Sequence, residues 1–369
     1  MEAPVRLSLD AVEREVGRLW EEEARRSKAT RVQLLTLVAL VSEPGLLPRA
    51  AKVLEQVVRV HPSRTIAVVW KAGADAAITA DAALHPTGPG GAPSGDAITL
   101  EATGVAREWL PQNIDRLTLP DLPVCLWWVG DLPDFDNLFD RAVLLSNLVV
   151  VNSAEMDLRD LEKLSRIMAR SRGRYALSDL MWIRLLPLQE LVARFFDDAD
   201  TRTCLNTIER VTVDFSPREG ELDVASTQAA LLFGWMAHAL ALKPDGVEWK
   251  RGSTWGEAKL GGVVARFEHR PRPDVPAGAI LRVAIECRGG ARFDIERQDD
   301  PQVFRWSRDV PATSTAPQTL RVGIQEEAAL LVKCLGRPRA DPLFESSLAM
   351  AVRVVRSIAP RLSTLPSSP

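Results

Sequence analysis

The residues that would most readily betray acid–base, nucleophilic or metal chemistry by their spacing are the four histidines and four cysteines. Those side chains combine proton transfer, thiolate attack and soft ligation near neutral pH. His61, His85, His238 and His269 stand far apart, and none has a second ligand at helical spacing, so no His-Glu-x-x-His pattern exists. His238 falls in an apolar helical stretch, where a histidine is ordinarily a packed structural residue. Cys125, Cys204, Cys287 and Cys334 are equally scattered, without a Cys-x-x-Cys pair, which argues against a zinc site or a disulfide framework. Cys125 and Cys287 sit in strand-like apolar runs and read as small buried hydrophobes. A Walker loop and Gly-x-Ser-x-Gly are both missing. Gly88, Gly90 and Gly91 come nearest to a phosphate loop, but they lie among prolines in a loop spanning 85–96, with no helix opening behind them. No metal, cofactor or catalytic residue is expected.

Recognition is more legible than reaction. His61-Pro62-Ser63-Arg64 sits between a helix and a strand, at the N-terminal edge of a sheet. There Arg64 either caps helix carbonyls or holds an anion or a partner's carboxylate. The strand Leu122–Gly130 carries Trp127 and Trp128 side by side, and neighbouring strand residues face opposite ways. Either each ring packs under its own helical layer, or one indole, Trp128, is exposed where α/β proteins bind ligands. The stretch Ser178–Leu191 sets Trp182 and Arg184 beside a new helix. Tryptophan and arginine dominate contact hot spots, so these two are candidates for a partner as well as for a domain-interface core.

The elements that must position these residues follow two rhythms. From residue 9 to 170, buried strand-like runs alternate with amphipathic stretches. Helices are expected at 9–27, from Pro48 (apolar at Ala51, Val53, Leu54 and Val57), at 106–116, 135–146 and 157–170. Strands are expected at Val32–Val41, Thr65–Trp70, Ala97–Glu101, Val124–Val129 and Leu148–Val151. This pattern predicts an α/β domain with a mostly parallel, Rossmann-like sheet covered by helices. Ser171-Arg172-Gly173-Arg174 marks the boundary, giving domains 1–174 and 175–369.

Beyond it, Pro187 is expected in the first turn of a helix, followed by a strand at Ile208–Phe215 and an apolar helix at 225–242. Period-two runs then recur at Val263–His269, Ile280–Cys287, Arg292–Arg297, Val303–Trp306 and Leu320–Ile324. They predict a C-terminal α+β domain whose antiparallel sheet has one wet face. Leu281, Val283, Ile285, Phe293, Ile295, Leu320 and Val322 are its expected core. Arg282, Glu286, Arg292, Asp294, Glu296 and Arg321 form its solvated side, with Arg282 and Arg321 as further partner candidates. Asp341-Pro342 opens the last helix, and the tail 363–369 reads as disordered.

A formal charge of −3 over 369 residues gives no reason to expect nucleic acid or an anionic membrane. No signal peptide is expected at the N-terminus, and no apolar run approaches the roughly 20 residues needed to span a bilayer, so the cytoplasm is the expected compartment.

Taken in order, several segments resemble the glucose-6-phosphate dehydrogenase assembly protein (OpcA) family. They are His61-Pro62-Ser63-Arg64; Leu122-Pro123-Val124 with Leu126-Trp127-Trp128; and Ser178-Asp179-Leu180 with Trp182, Arg184, Leu185 and Pro187. Glu190-Leu191, Phe195-Phe196-Asp197, Leu231-Leu232 with Gly234-Trp235, and Asp341-Pro342 extend the match over about residues 45–345. The resemblance implies a non-catalytic partner that assembles or allosterically activates glucose-6-phosphate dehydrogenase. The chain departs from the family where Ser146-Asn147 and Asn152-Ser153 replace an Asp-Arg and an Asp-Ser. It also lacks the cysteines that photosynthetic relatives carry near the third strand, so redox control is not transferred. The rival expectation is an enzyme or sensor that binds a sugar phosphate or nucleotide in the N-terminal domain.

Overall fold

A computed structural model describes residues 8–28, 31–86, 93–132, 137–217, 225–243, 248–252, 254–311, 313–314, 316–323, 325–337 and 339–362. Gly88, Gly90, Gly91 and the tail 363–369 lie outside the described residues. In chain order the first elements are α1 (Leu9–Ser27), β1 (Leu35–Val41), α2 (Leu47–Val58), β2 (Ser63–Lys71), β3 (Ala77–Leu84) and β4 (Asp96–Thr103). Next come α3 (Leu110–Leu117), β5 (Val124–Val129), α4 (Asn137–Leu144), β6 (Leu148–Val151), α5 (Asp160–Ser171), β7 (Ala176–Asp179) and α6 (Leu180–Ala193). Then follow α7 (Ala199–Arg202), β8 (Ile208–Phe215), α8 (Thr227–Ala239), β9 (Glu248–Arg251), β10 (Trp255–Leu260) and β11 (Val263–His269). The chain continues through β12 (Ile280–Cys287), β13 (Arg292–Arg297), β14 (Val303–Val310), β15 (Thr313–Ser314), β16 (Gln318–Arg321), α9 (Glu327–Leu335) and α10 (Pro342–Leu362).

Internal contacts separate two units: Met1–Glu155 with Ser171–Leu180 and Glu326–Ala340, and Met156–Arg170 with Met181–Gln325 and Asp341–Pro369. By contact these units are interleaved along the chain, unlike the single cut expected after residue 174. β7 closes the first sheet, and α9 returns late in the chain to pack on α2 and β6. Local composition carries no trace of such a return.

The first unit is the mostly parallel sheet expected, in the order β3-β4-β2-β1-β5-β6-β7. Every pair is parallel except β3–β4. β1, β5 and β6 are buried at every position, as strands covered on both faces must be. The strand order reverses beside β1, which places the topological switch point between the C-terminal ends of β1 and β5. Two details differ from expectation. Val32 and Leu34 are exposed, so β1 starts later, and α2 buries Ala50 rather than Ala51. β3 was not foreseen, because Ala-Ile-Thr-Ala-Asp-Ala-Ala-Leu is short of β-formers; pairing with β4 from Ala77↔Thr103 to Leu84↔Asp96 overrides that weak propensity.

The second unit is mostly antiparallel, in the order β15-β14-β13-β12-β8-β11-β10-β9, with β16 on β14. β8 is its hinge strand, antiparallel to β12 and parallel to β11. Leu281, Val283, Ile285, Phe293 and Ile295 are buried as expected, but Leu320 and Val322 are half-exposed because β16 is a short edge strand. Pro187 lies inside α6 instead of opening it. α8 is buried almost all round and crosses α10 at Gly234, where a Cβ would fall 2.3 Å from the Ser347 carbonyl oxygen. Any side chain there would force the two helices apart.

Candidate functional site

Arg64 opens β2 and is only 1 % exposed. Its Nε donates to Asp96 Oδ2 at 2.9 Å, and its Nη1 to the Leu117 carbonyl at 2.9 Å and to Glu13 Oε1 at 2.5 Å. Asp96 also accepts from the Trp20 indole at 2.6 Å and from Arg31 at 2.5 Å. Burial works against the Asp96 charge, but Trp20, Arg64 and Arg31 outweigh it and hold the carboxyl below its ordinary range. Gly95 lets this closure happen, since a Cβ there would meet the Ser63 carbonyl oxygen at 1.9 Å. Arg64 is thus committed inside the first unit. The expectation that it reaches a partner is corrected: the sheet and α1 enclose it.

The two tryptophans of β5 are both buried, on opposite faces of the strand. Trp128 is 1 % exposed, packs edge-on to Phe139 at 5.1 Å, and donates to the Asp131 carbonyl at 2.8 Å. Trp182 is also 1 % exposed. Its indole donates to Asp341 Oδ2 at 3.0 Å, and its ring lies 5.5 Å from Phe344. Asp341 Oδ1 meanwhile caps α10 by accepting from Leu343 and Phe344. Both indoles therefore serve the core, and neither is a surface contact. Arg282 pairs across strands with Asp294, its Nε at 2.8 Å, and exposed Arg321 pairs with Asp300 at 2.7 Å. Arg184 is half-buried.

The switch point itself is built from Ser42-Glu43-Pro44-Gly45-Leu46-Leu47 after β1 and from Gly130 after β5. Dinucleotide-binding folds put glycines in the first turn so that the pyrophosphate reaches a helix N-terminus. Here Gly45 stands alone, and the carboxylate of Glu43 is exposed at the turn. Gly130, at φ +94°, is pressed against Ser42 and Leu46: a Cβ would come within 2.1 Å of Ser42 Oγ. Arg49, in the first turn and a half of α2, is bound to Glu327 at 2.7 and 2.8 Å and to Glu155. A carboxylate where phosphate would sit, and a nearby cation already paired, make this turn a poor dinucleotide cradle.

Other chemistry is similarly sparse. Burial pushes the thiols of Cys125, Cys287 and Cys334 up to about 12, far from thiolate reactivity. Among the described residues no cluster of three His, Cys, Asp or Glu side chains could hold a metal, and no helix is long and apolar enough to cross a membrane. Asp179, buried at the end of β7, accepts from Ser153 N at 2.9 Å and Ser153 Oγ at 2.6 Å.

The second unit holds a cavity of about 260 Å³ between α6, the start of α8, and the loops flanking β12 to β14. Arg184, Gln228, Asp274, Arg297 and Gln325 are its polar lining, and Leu185, Leu188 and Phe304 are among its apolar residues. Sequence reasoning marked only Arg184 of these. Arg297 only closed the run Arg292–Arg297, and Gln228 fell in the apolar helix expected at 225–242, so neither was singled out.

Two family models match the chain in succession. The glucose-6-phosphate dehydrogenase subunit N-terminal domain matches residues 54–168, and the C-terminal domain of the same subunit matches residues 175–348. The chain belongs to the OpcA family. A protein of Nostoc punctiforme described as a putative OxPP cycle protein OpcA is 34% identical over 152 residues, 40% of this chain and 30% of that protein. Its namesake in Synechocystis is 29% identical over 157 residues, 42% and 31% of the two chains. The matched stretch thus spans less than a third of these relatives' length. Among solved structures, an oxidoreductase from Sinorhizobium meliloti aligns with a TM-score of 0.52 at 9% identity, covering 89% of this chain and 99% of the other. A levoglucosan dehydrogenase in complex with NADH aligns with 0.51 at 9% identity, covering 90% and 97%. At such identity the likeness speaks for the fold alone.

Proposed function

We propose that this OpcA-family chain is a non-catalytic assembly factor and allosteric activator of glucose-6-phosphate dehydrogenase, acting by protein contact in the cytoplasm within the oxidative pentose phosphate pathway. The observation that carries this reading is the pair of successive family models, both described as parts of a glucose-6-phosphate dehydrogenase subunit. The poverty of the switch-point turn supports it, because the fold's usual ligand position is furnished with a carboxylate and a single glycine. Activation requires the chain to bind one state of the dehydrogenase better than another, and a coupling of ~1–3 kcal/mol would change substrate affinity ~5- to 150-fold.

Docking falls to side chains that reach solvent: Arg282, Arg321, Arg184 and the half-exposed Trp109 in the turn before α3. The test mixes the chain with the dehydrogenase of the same cell and measures co-elution and the half-saturating substrate concentration. Co-elution and a lowered half-saturation, both weakened by Trp109→Ala or Arg321→Ala, are expected. Separate elution with an unchanged rate curve rejects the reading. The mostly parallel, Rossmann-like sheet of the first unit leaves a second reading, an enzyme or sensor that binds a sugar phosphate or nucleotide there. Calorimetry with NADH on the isolated chain separates the two, since tight binding would favour the enzyme.

A further inference from the structure

Three of the four cysteines, Cys125, Cys287 and Cys334, are buried. Cys204 alone is half-buried and meets solvent, from the 3-10 turn Thr203–Thr207 that leads into β8. The fold sets it against a second thiol, that of Cys287 at the end of β12, across 83 residues of chain. The Cys287 Sγ donates to the Cys204 carbonyl oxygen at 3.6 Å. Two further bonds hold the turn to the strand end: Arg288 N donates to the Thr207 carbonyl at 2.7 Å, and Thr207 Oγ1 to the Cys204 carbonyl at 3.0 Å. The thiols also act on one another. Burial, then the field of Cys204, pushes the Cys287 thiol up to about 12, against a hydrogen bond from Thr207. The other two cysteines differ: Cys334 meets the Ser178 hydroxyl at 3.2 Å, and burial alone raises Cys125.

The backbone at Cys287 is suited to a small adjustment. The register of β12 on β8 shifts between Glu286 and Cys287, and the strand then ends in the turn Arg288-Gly289-Gly290. A strand end outside the regular ladder lets one sulfur approach the other with little disturbance of the sheet.

We propose that Cys204 and Cys287 are a reversible oxidation site, closing to an intrachain disulfide by exchange with a low-molecular-weight disulfide such as oxidised glutathione. The Cys204 thiolate attacks one sulfur of the small disulfide. That S–S bond breaks, one glutathione leaves as thiolate, and a mixed disulfide remains on Cys204. Cys287, its proton given to water, then attacks the Cys204 sulfur; the mixed bond breaks and the second glutathione leaves. The cysteine pair is oxidised, and the small disulfide takes its electrons and becomes two thiols.

Exposure sets the order, because only Cys204 can be reached from outside. Proximity drives the second step. At about pH 8 a thiol titrating at about 12 is thiolate in only ~1 part in 10⁴, but well-oriented intramolecular groups act at ~10⁵ M or more, which outweighs that scarcity. Closure ties the start of β8 to the end of β12, and a cross-link over so long a loop restricts the unfolded chain strongly. The site lies wholly within the second unit and does not depend on the partner proposed above.

The test incubates the full chain with oxidised glutathione, blocks the remaining thiols with N-ethylmaleimide, and maps peptides without reduction. A Cys204–Cys287 linked peptide that dithiothreitol reverses is expected. Cys287→Ser should stop at a stable glutathione adduct on Cys204, and Cys204→Ser should take up at least tenfold less glutathione. A wild-type chain that stops at the Cys204 adduct overturns the proposal, as does one that keeps all its thiols free. A link made through Cys125 or Cys334, or one that forms only in urea, overturns it too.

Discussion

Two arginines, Arg64 buried in the first unit and Arg297 half-buried in the second, meet opposite fates. Arg64 is enclosed by Asp96 and Glu13, so its charge is cancelled where it stands. Arg297 is held by two carbonyls and a ring, so its charge is positioned but retained. A compensated buried cation makes the interior specific and leaves nothing for a ligand. Arg64 is structural, as one of the two readings of its turn had it, and Arg297 keeps its charge beside a cavity.

The largest effects should come from breaking the compensated side. Arg64→Ala leaves buried Asp96 with Arg31 and Trp20 only, and Asp96→Asn leaves buried Arg64 with Glu13 as its one carboxylate; each should destabilise by up to about 3–5 kcal/mol in urea titrations. A loss below ~1 kcal/mol would mean the pair is open to solvent. Trp182→Ala should cost about 3–5 kcal/mol as well, because it empties a core site and frees Asp341 from one of its bonds. Were the indole a surface contact, the change would stay within ±0.5 kcal/mol.

Acid should pull the units in opposite directions. Burial draws the His85 imidazole down to about 4 from 6.5, against the fields of Glu55 and Asp96. Its contribution is therefore full above pH 6.5 and lost as pH falls towards 4. Burial pushes the Asp214 carboxyl up to about 6 from 3.8, against Arg270 and Arg282. Its contribution is full below 3.8 and lost as pH rises through 6. Each spans up to about 3 kcal/mol. Chemical denaturation between pH 4 and 8 should show His85→Gln flattening the acid loss, and Asp214→Asn gaining stability above pH 6. Identical slopes in wild type and both variants would refute the contrast.

The smallest effect belongs to the surface: Trp109→Ala should move stability by no more than about 0.5 kcal/mol and act only on partner binding, checked by melting and co-elution in parallel.

Much of the architecture was legible because it is periodic. Continuous apolar runs in β1, β5 and β6 announced a sheet buried on both faces, and alternation in β12 and β13 announced one with a wet side. β3, β7, β9 and β10 were missed because pairing with neighbouring strands, rather than their own residues, makes them strands. The candidate contacts fared unevenly for a physical reason. Arg64, Trp128 and Trp182 are large residues of a kind found both in cores and at interfaces, and their types cannot say which.

The order of residues alone determined the family, the two sheet types, and the want of motif-bearing nucleophiles or metal ligands, since each is written in local spacing. Only tertiary structure decided which charges are cancelled. Asp96 comes to Arg64 from 32 residues away, while Asp274, whose field reaches Arg297, is bonded to Arg272. Electrostatic fate depends on distance and burial in space, and the chain fixes those only once it has folded.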